Sequence, residues 1–241
     1  MIRHVLAPNP GPMTLEGTNT WLLPTGRRTV VVDPGPDDPA HLARVRDEAG
    51  DIALVLLTHG HPDHSAGART LAREAGVPVR AVDPAHRLGD EGLGDGEHVS
   101  VDDLVVTVLA TPGHSSDHVC FVLPEKGAVL TGDHVLGRGT TVIAHPDGRL
   151  RDYLDSLNRL ADVGATTLLP GHGPVIENAA EVIAYYVAHR HERLDQVRAA
   201  VAAGAATPRE VVERVYADVD RRLWPAAEQS VCAQLEYLAL S

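Results

Sequence analysis

Apolar residues recur in short runs bounded by turn-forming clusters through the first two-thirds of the chain, and helical spacing appears between several of these runs. That alternation predicts an α/β architecture. Strands are expected at Asn19–Leu23, Thr29–Asp33, Ile52–Thr58, Leu104–Leu109, His118–Leu123, Val129–Asp133 and Thr166–Leu169. Helices are expected at Pro39–Ala49, Ala66–Ala75 and Leu150–Asp162, where Tyr153, Leu154, Leu157 and Leu160 share one face. The polar stretch Asp90–Glu97 reads as a surface loop. After Pro174 the strand pattern ceases. Glu177–Ala203 predicts one long helix broken at Gly204, and Pro208–Tyr216 and Pro225–Leu240 predict two shorter ones. Thr207 is a capping residue, with Pro208 in the first turn and Glu210 at the positive end of the dipole.

The candidate chemistry sits where strands end. Leu54 to Thr58 is a buried-strand pattern running directly into His59-Gly60-His61-Pro62-Asp63-His64, four potential ligands within six residues. Pro62 cannot donate to a sheet ladder, so these ligands hang on a loop beyond a rigid support, with a helix expected to begin near Ser65-Ala66-Gly67. Three later runs also end in a Gly-flanked ligand: Thr111-Pro112-Gly113-His114, Leu130-Thr131-Gly132-Asp133 and Leu168-Leu169-Pro170-Gly171-His172. Small turns of this kind let the backbone come close to a site. Together the positions supply two metal sites: His59, His61 and His114 for one ion, Asp63, His64 and His172 for the other, and Asp133 as the bridge. Nitrogen and carboxylate donors without thiolate suit Zn(II) and also accept Fe, Mn or Ni. Two such ions share a water acidified towards about pH 7, and the resulting bridging hydroxide is the expected nucleophile, with Asp63 orienting it and carrying a proton. Thr58, Ser115, His118 and His134 flank these positions as candidate supports for the ligands.

The Thr58–His64 segment with its separated His, Asp and His partners resembles the metallo-β-lactamase superfamily. The opening Asn9–Trp21, Gly132–Gly137 and Tyr153–Leu160 are similar to the β-lactamase-like protein 2 branch. The resemblance implies a four-layer αβ/βα sandwich over residues 1–176, with metals in a cleft at the sheet edges. It implies a winged-helix-like helical appendage over 177–241, packed on that cleft, and no wing follows its third helix before Ser241. Only Gly173-Pro174 separates His172 from the start of the appendage, so no flexible linker is expected. Members of the superfamily that hydrolyse antibiotics often use a cysteine ligand, and neither Cys120 nor Cys232 sits in a ligand motif. The branch implies a metal-dependent hydrolase of single-stranded RNA. The alternative on the same scaffold is an acyl thioester or lactone hydrolase of the glyoxalase II kind, and a third reading is an iron-dependent persulfide dioxygenase or redox module. Arg138, Arg149, Arg151 and Arg190 are the candidate substrate-binding arginines, with His189, Arg190 and His191 placed near the end of the long helix.

Composition changes this picture at two points. A net charge of −12 and only two Trp, five Tyr and one Phe give little for coating nucleic acid by charge and stacking. No run approaches the roughly 18 apolar residues of a membrane helix, so no membrane partner and a cytoplasmic location are expected. The substrate is expected to be a small molecule or single-stranded RNA, and the oligomeric state stays open, a homodimer included. His4, His41, His86, His98 and His145 have no motif around them.

Overall fold

The computed structural model describes residues 1–240, and none of its described helices is long and apolar enough to cross a membrane. Its ten strands form two five-stranded sheets. The first holds β1 (Arg3–Leu6), β2 (Asn19–Thr25), β3 (Arg28–Val32), β4 (Ile52–Leu56) and β5 (Val79–Arg80) in that spatial order. The second runs β10 (Thr167–Pro170), β9 (Ala128–Gly132), β8 (Val119–Leu123), β7 (Leu104–Ala110) and β6 (His98–Val101). Pairing is parallel for β3–β4, β4–β5 and β9–β10 and antiparallel elsewhere.

Period-two alternation builds the layers. Trp21 and Leu23 of β2 and Val30 and Val32 of β3 meet Val106, Val108, Phe121 and Leu130 of the second sheet in an apolar interior. The intervening Leu22 and Val31 turn outward onto α1 (Pro39–Ala49) and α3 (Ala68–Ala75), through Leu42, Val45 and Leu71. On the other side Cys120, Val129 and Leu168 pack on α4 (Leu150–Asp162) and α5 (Ala179–Ala202). This is a four-layer αβ/βα sandwich. The helix expected from Ala66 is preceded by a short one, α2 (Pro62–Ser65), because Pro62 can occupy a first-turn position where no N–H is needed. The three strands not expected from the pattern, β1, β5 and β6, are four, two and four residues long, too short to show periodicity. Residues 90–97 form a loop, as expected, although Leu93 within it is buried in the interior.

The C-terminal helices are α5, α6 (Pro208–Val215) and α7 (Trp224–Leu240). Thr207 caps α6 by accepting from the Glu210 N–H, and Glu210 reaches back to the Ala206 N–H. Val197, Val211, Val212, Trp224 and Val231 form a core of their own. The first two-thirds of α5 is buried elsewhere: Ile183, Tyr186 and Leu194 pack with α4 and the second sheet. Helix α5 therefore belongs to both cores.

Candidate metal centre

All the predicted ligands follow strand ends along one edge of the sandwich. His59, His61, His114 and Asp133 bring one donor atom each within 4.8 Å of one another, and Asp63, His64 and His172 do the same beside them. His59 Nε2 and His114 Nε2 each lie 3.0 Å from His61 Nδ1. In the second group His64 Nε2 is 3.2 Å from His172 Nε2, and Asp63 Oδ2 is 3.1 Å from the latter. Asp133 touches both groups. Its Oδ1 lies 3.3 and 3.4 Å from the Nε2 atoms of His64 and His172, and its Oδ2 lies 3.7 Å from His114 Nε2. Glycines make this approach possible: a Cβ on Gly171 would stand 2.6 Å from His64 and 2.9 Å from Asp133 Oδ1.

Whether a cation fits is decided by the other ring nitrogens. His64 Nδ1 donates to Asp33 at 2.9 Å, His172 Nδ1 to the Gly17 carbonyl at 3.2 Å and His114 Nδ1 to the Val142 carbonyl at 2.7 Å. Thr58 gives its hydroxyl proton to Asp33 at 2.7 Å, so it accepts from His59 Nδ1 at 3.0 Å. In the neutral rings the Nε2 atoms of His59, His64, His114 and His172 are thus lone pairs, directed at one another in a buried place. Asp133 Oδ1 is likewise buried without a hydrogen bond. Opposed lone pairs require a positive centre between them, and the donor set is that of divalent metal sites.

Without such a centre protons take its place. Burial alone would lower the His172 pKa, but the Asp133 and Asp63 carboxylates carry it up to about 9. His64 is likewise held well above its ordinary value, with Asp133 and Asp33 overcoming burial. Burial, then His64, pushes His59 the other way. A metal must therefore displace protons from the second group. Zinc at a hundred times its Kd is expected to stabilise the chelator-treated protein by about 2.7 kcal/mol, a Tm rise of roughly 5–10 °C. Because His172 holds its proton up to about pH 9, lowering the pH below that value is expected to weaken uptake about tenfold per unit for each proton displaced. Thermal melts across a zinc and pH grid check both; an unchanged Tm with excess zinc would show that no ion enters.

The supports are more dispersed than the motif suggests. Thr58 orients His59, and His118 Nε2 accepts from the Asp133 N–H at 3.1 Å. Ser115 instead bonds Asp117, and the buried His134 ring has no hydrogen bond and packs on Tyr153. The residue sequence reasoning missed is Asp33. Buried just past β3 with φ 50°, it accepts from the Thr58 N–H, the Thr58 hydroxyl and His64 Nδ1. Its signal was an acidic residue ending an apolar run before Pro34-Gly35. Asn19 and Trp21 of β2 both donate to the Pro170 carbonyl at 3.0 Å and so fix the turn that carries His172.

A cleft of about 330 Å³ opens beside His114 and Asp133, walled by Met13, Leu15 and Leu136 and, from the C-terminal helices, Val219 and Leu223. Arg138 and Arg190 border it; Arg149 and Arg151 do not. Arg149 stands at the N-cap of α4 and Arg151 in its first turn, and both face α7, Arg149 4.0 Å from Glu236 and Arg151 over the Tyr237 ring. Arg190 lies in the middle of α5 rather than near its end. Neither Cys120, whose thiol burial pushes up to about 12, nor Cys232 joins the cluster.

The family model described as the metallo-beta-lactamase superfamily matches residues 13–172, and that of the beta-lactamase associated winged helix domain matches 207–239. A beta-lactamase-like protein 2 homolog of Caenorhabditis elegans is 35% identical over 233 residues, covering 90% of this chain and 77% of the relative. An atrochrysone carboxyl ACP thioesterase of Aspergillus fumigatus is 34% identical over 233 residues, covering 88% and 72%. Other fungal relatives are longer, and this chain spans 59% of one of them. The crystal structure of a metallo-beta-lactamase family protein from Thermus thermophilus superposes with a TM-score of 0.85 at 25% identity, covering 99% of this chain and 93% of the other.

Proposed function

The chain belongs to the metallo-beta-lactamase superfamily, and on that premise we propose that this hydrolase holds two zinc ions and cleaves acyl thioesters. The observation that carries the substrate is the cleft. Apolar side chains wall it from both the sandwich and the C-terminal helices, and the cluster lies at its edge through His114 and Asp133. An acyl chain gains by burial there, at roughly 25 cal/mol per Å² of apolar surface. A thioesterase among the relatives supports the same reading. The single-stranded RNA reading comes from the resemblance to the β-lactamase-like protein 2 branch, with four arginines as its candidate phosphate contacts. Two of them lie against α7, and Tyr216 is the one aromatic residue among the described residues that line the cleft.

His59, His61 and His114 would hold one ion, Asp63, His64 and His172 the other, with Asp133 between them. Ions bound there supply an acidified water and positive charge for a developing oxyanion. Asp63 supplies what the buried ligands cannot. Its side chain is 29% exposed against 11% for Asp133, and only Oδ2 meets a histidine. Burial raises its pKa, but His172 and His64 lower it further, so the carboxylate is ionised at neutral pH. Oδ1 accepts the proton of the attacking water and returns it to the leaving sulfur.

The test is a substrate panel on zinc-loaded protein: acyl thioesters, lactones and short single-stranded RNA. Thioester turnover is expected, reduced about 10²- to 10⁴-fold in Asp63→Asn. RNA cleavage without thioester turnover would overturn the assignment.

A further inference from the structure

Three arginines border the cleft, Arg138, Arg190 and Arg193, and they differ in how their charge is met. Arg138 at the rim pairs with Glu16 at 2.6 Å. Arg193 donates to the Val215 carbonyl and the Gln196 side chain and lies over the Tyr216 ring. Among the described residues Arg190 has no acidic partner. It is 3% exposed, and the ion pairs of its neighbours on either side along the fold, Arg138–Glu16 and Arg149–Glu236, do not include it. Its Nη2 donates to the Thr141 carbonyl at 2.6 Å, its guanidinium stands 4.8 Å from the centre of the Tyr153 ring, and its Nε is buried without a hydrogen bond.

A guanidinium keeps its proton at any pH a protein experiences, so it cannot escape burial by neutralising. One carbonyl, the Tyr153 ring and the Tyr153 hydroxyl are neutral partners and leave the buried cation without an anion. The neighbouring His189 does not help: burial, then the charges of Arg190 and Arg193, bring its pKa down to about 4, so it is neutral. The cleft that Arg190 borders, with Asp133 also in its wall, is a place from which a counter-charge can reach it.

We propose that Arg190 binds a carboxylate carried by the acyl substrate, so that the cleft takes carboxyacyl groups, with the scissile carbonyl at the metal cluster and the free carboxylate at Arg190. The inference rests on the acyl reading of the site. A single uncompensated cation in an apolar cleft suits a single anion, whereas a phosphodiester chain needs a succession of cations. With Nη2 given to the Thr141 carbonyl, the carboxylate would be met by the donors of the guanidinium that remain, in a charge-assisted hydrogen bond.

The experiment compares thioesters of straight-chain dicarboxylic half-acids with uncharged acyl thioesters of equal length, in the zinc-loaded wild type, Arg190→Gln and Arg190→Lys. The wild type is expected to prefer one carboxyacyl length by about 10- to 100-fold, expressed mainly in KM, as for a charged hydrogen bond. Arg190→Gln is expected to bring the ratio close to one, and Arg190→Lys to keep part of it. Equal losses for both classes with the preference intact would mean that Arg190 only holds the Thr141 carbonyl, and the inference falls. If no thioester is turned over, the acyl reading fails by itself. The carboxylate site is then judged by calorimetric binding of dicarboxylates of four to eight carbons against monocarboxylates of equal length. Preference for a dicarboxylate that is lost in Arg190→Gln supports it. No preference in the wild type, which needs no variant to fold, overturns it, as does displacement by short RNA alone.

Discussion

Asp133→Ala is expected to abolish measurable hydrolysis, a loss of at least about 10³-fold in kcat/KM, and to leave the purified protein with one bound ion or none. Among the described residues no other carboxylate touches both groups of histidines: Asp133 Oδ1 stands against His64 and His172, and Oδ2 against His114. Removing it would take a donor from each group and also the negative charge that would offset cations held there. Burial raises the pKa of this carboxyl, but His172 and His64 bring it well below the ordinary range, so the group is an anion whenever the protein is folded at neutral pH. Elemental analysis after gel filtration, alongside thioester hydrolysis, checks both halves. Asp133→Asn preserves shape and one oxygen and is expected to fall between the two. Two retained ions with near-normal turnover in Asp133→Ala would remove Asp133 from the centre.

The second large effect is expected at Asp33, which lies outside the ligand set. Asp33→Asn retains the size of the side chain and tolerates the positive φ, so the backbone at 50° is not the variable. What changes is one carboxylate oxygen, replaced by an amide that faces donors. Thr58 N–H, Thr58 Oγ1 and His64 Nδ1 cannot all be satisfied by it. A buried network broken in this way costs about 3 kcal/mol, a Tm fall of roughly 6–12 °C, to be measured in chelator so that metal loss does not contribute. Zinc affinity is expected to drop about 10- to 100-fold, because His64 loses the partner that fixes its tautomer. An unchanged Tm and affinity would show that the Thr58 and His64 contacts are dispensable.

The clustered candidate ligands were legible because each stands at a discontinuity: an apolar run stops, a glycine or proline turns the chain, and a polar side chain follows. Asp33 stands at the same kind of discontinuity but in a solitary example, and a carboxylate before Pro-Gly is common in turns without any role. What could not be read was direction. Arg149 and Arg151 follow Asp133 in the chain, yet at the N-cap and first turn of α4 they meet Glu236 and Tyr237 of α7. Arg190 was visible as a candidate, but its burial depends on α5 packing across Tyr153, a contact between segments far apart in sequence. The sheets followed the same rule. β2, β3, β4 and β7 to β10 have alternating or continuous apolar runs, whereas β5 is two residues that pair only because β4 is beside them.

The partners that set the histidine tautomers come from the whole length of the chain: the Gly17 carbonyl for His172, Asp33 for His64 and Val142 for His114. The segment holding Val142 is itself pinned from the C-terminal helices, by Arg190 on the Thr141 carbonyl and by Ser230 on the Ile143 N–H. A growing polypeptide leaving the ribosome exposes His59–His64 long before Ser230 has been translated. At that stage the stretch is only a set of flexible donors, and ions would compete for it by raw affinity, which favours copper over zinc. The donor geometry that an ion would meet is complete once α7 has docked, so any selectivity of the cluster would be a property of the finished polypeptide.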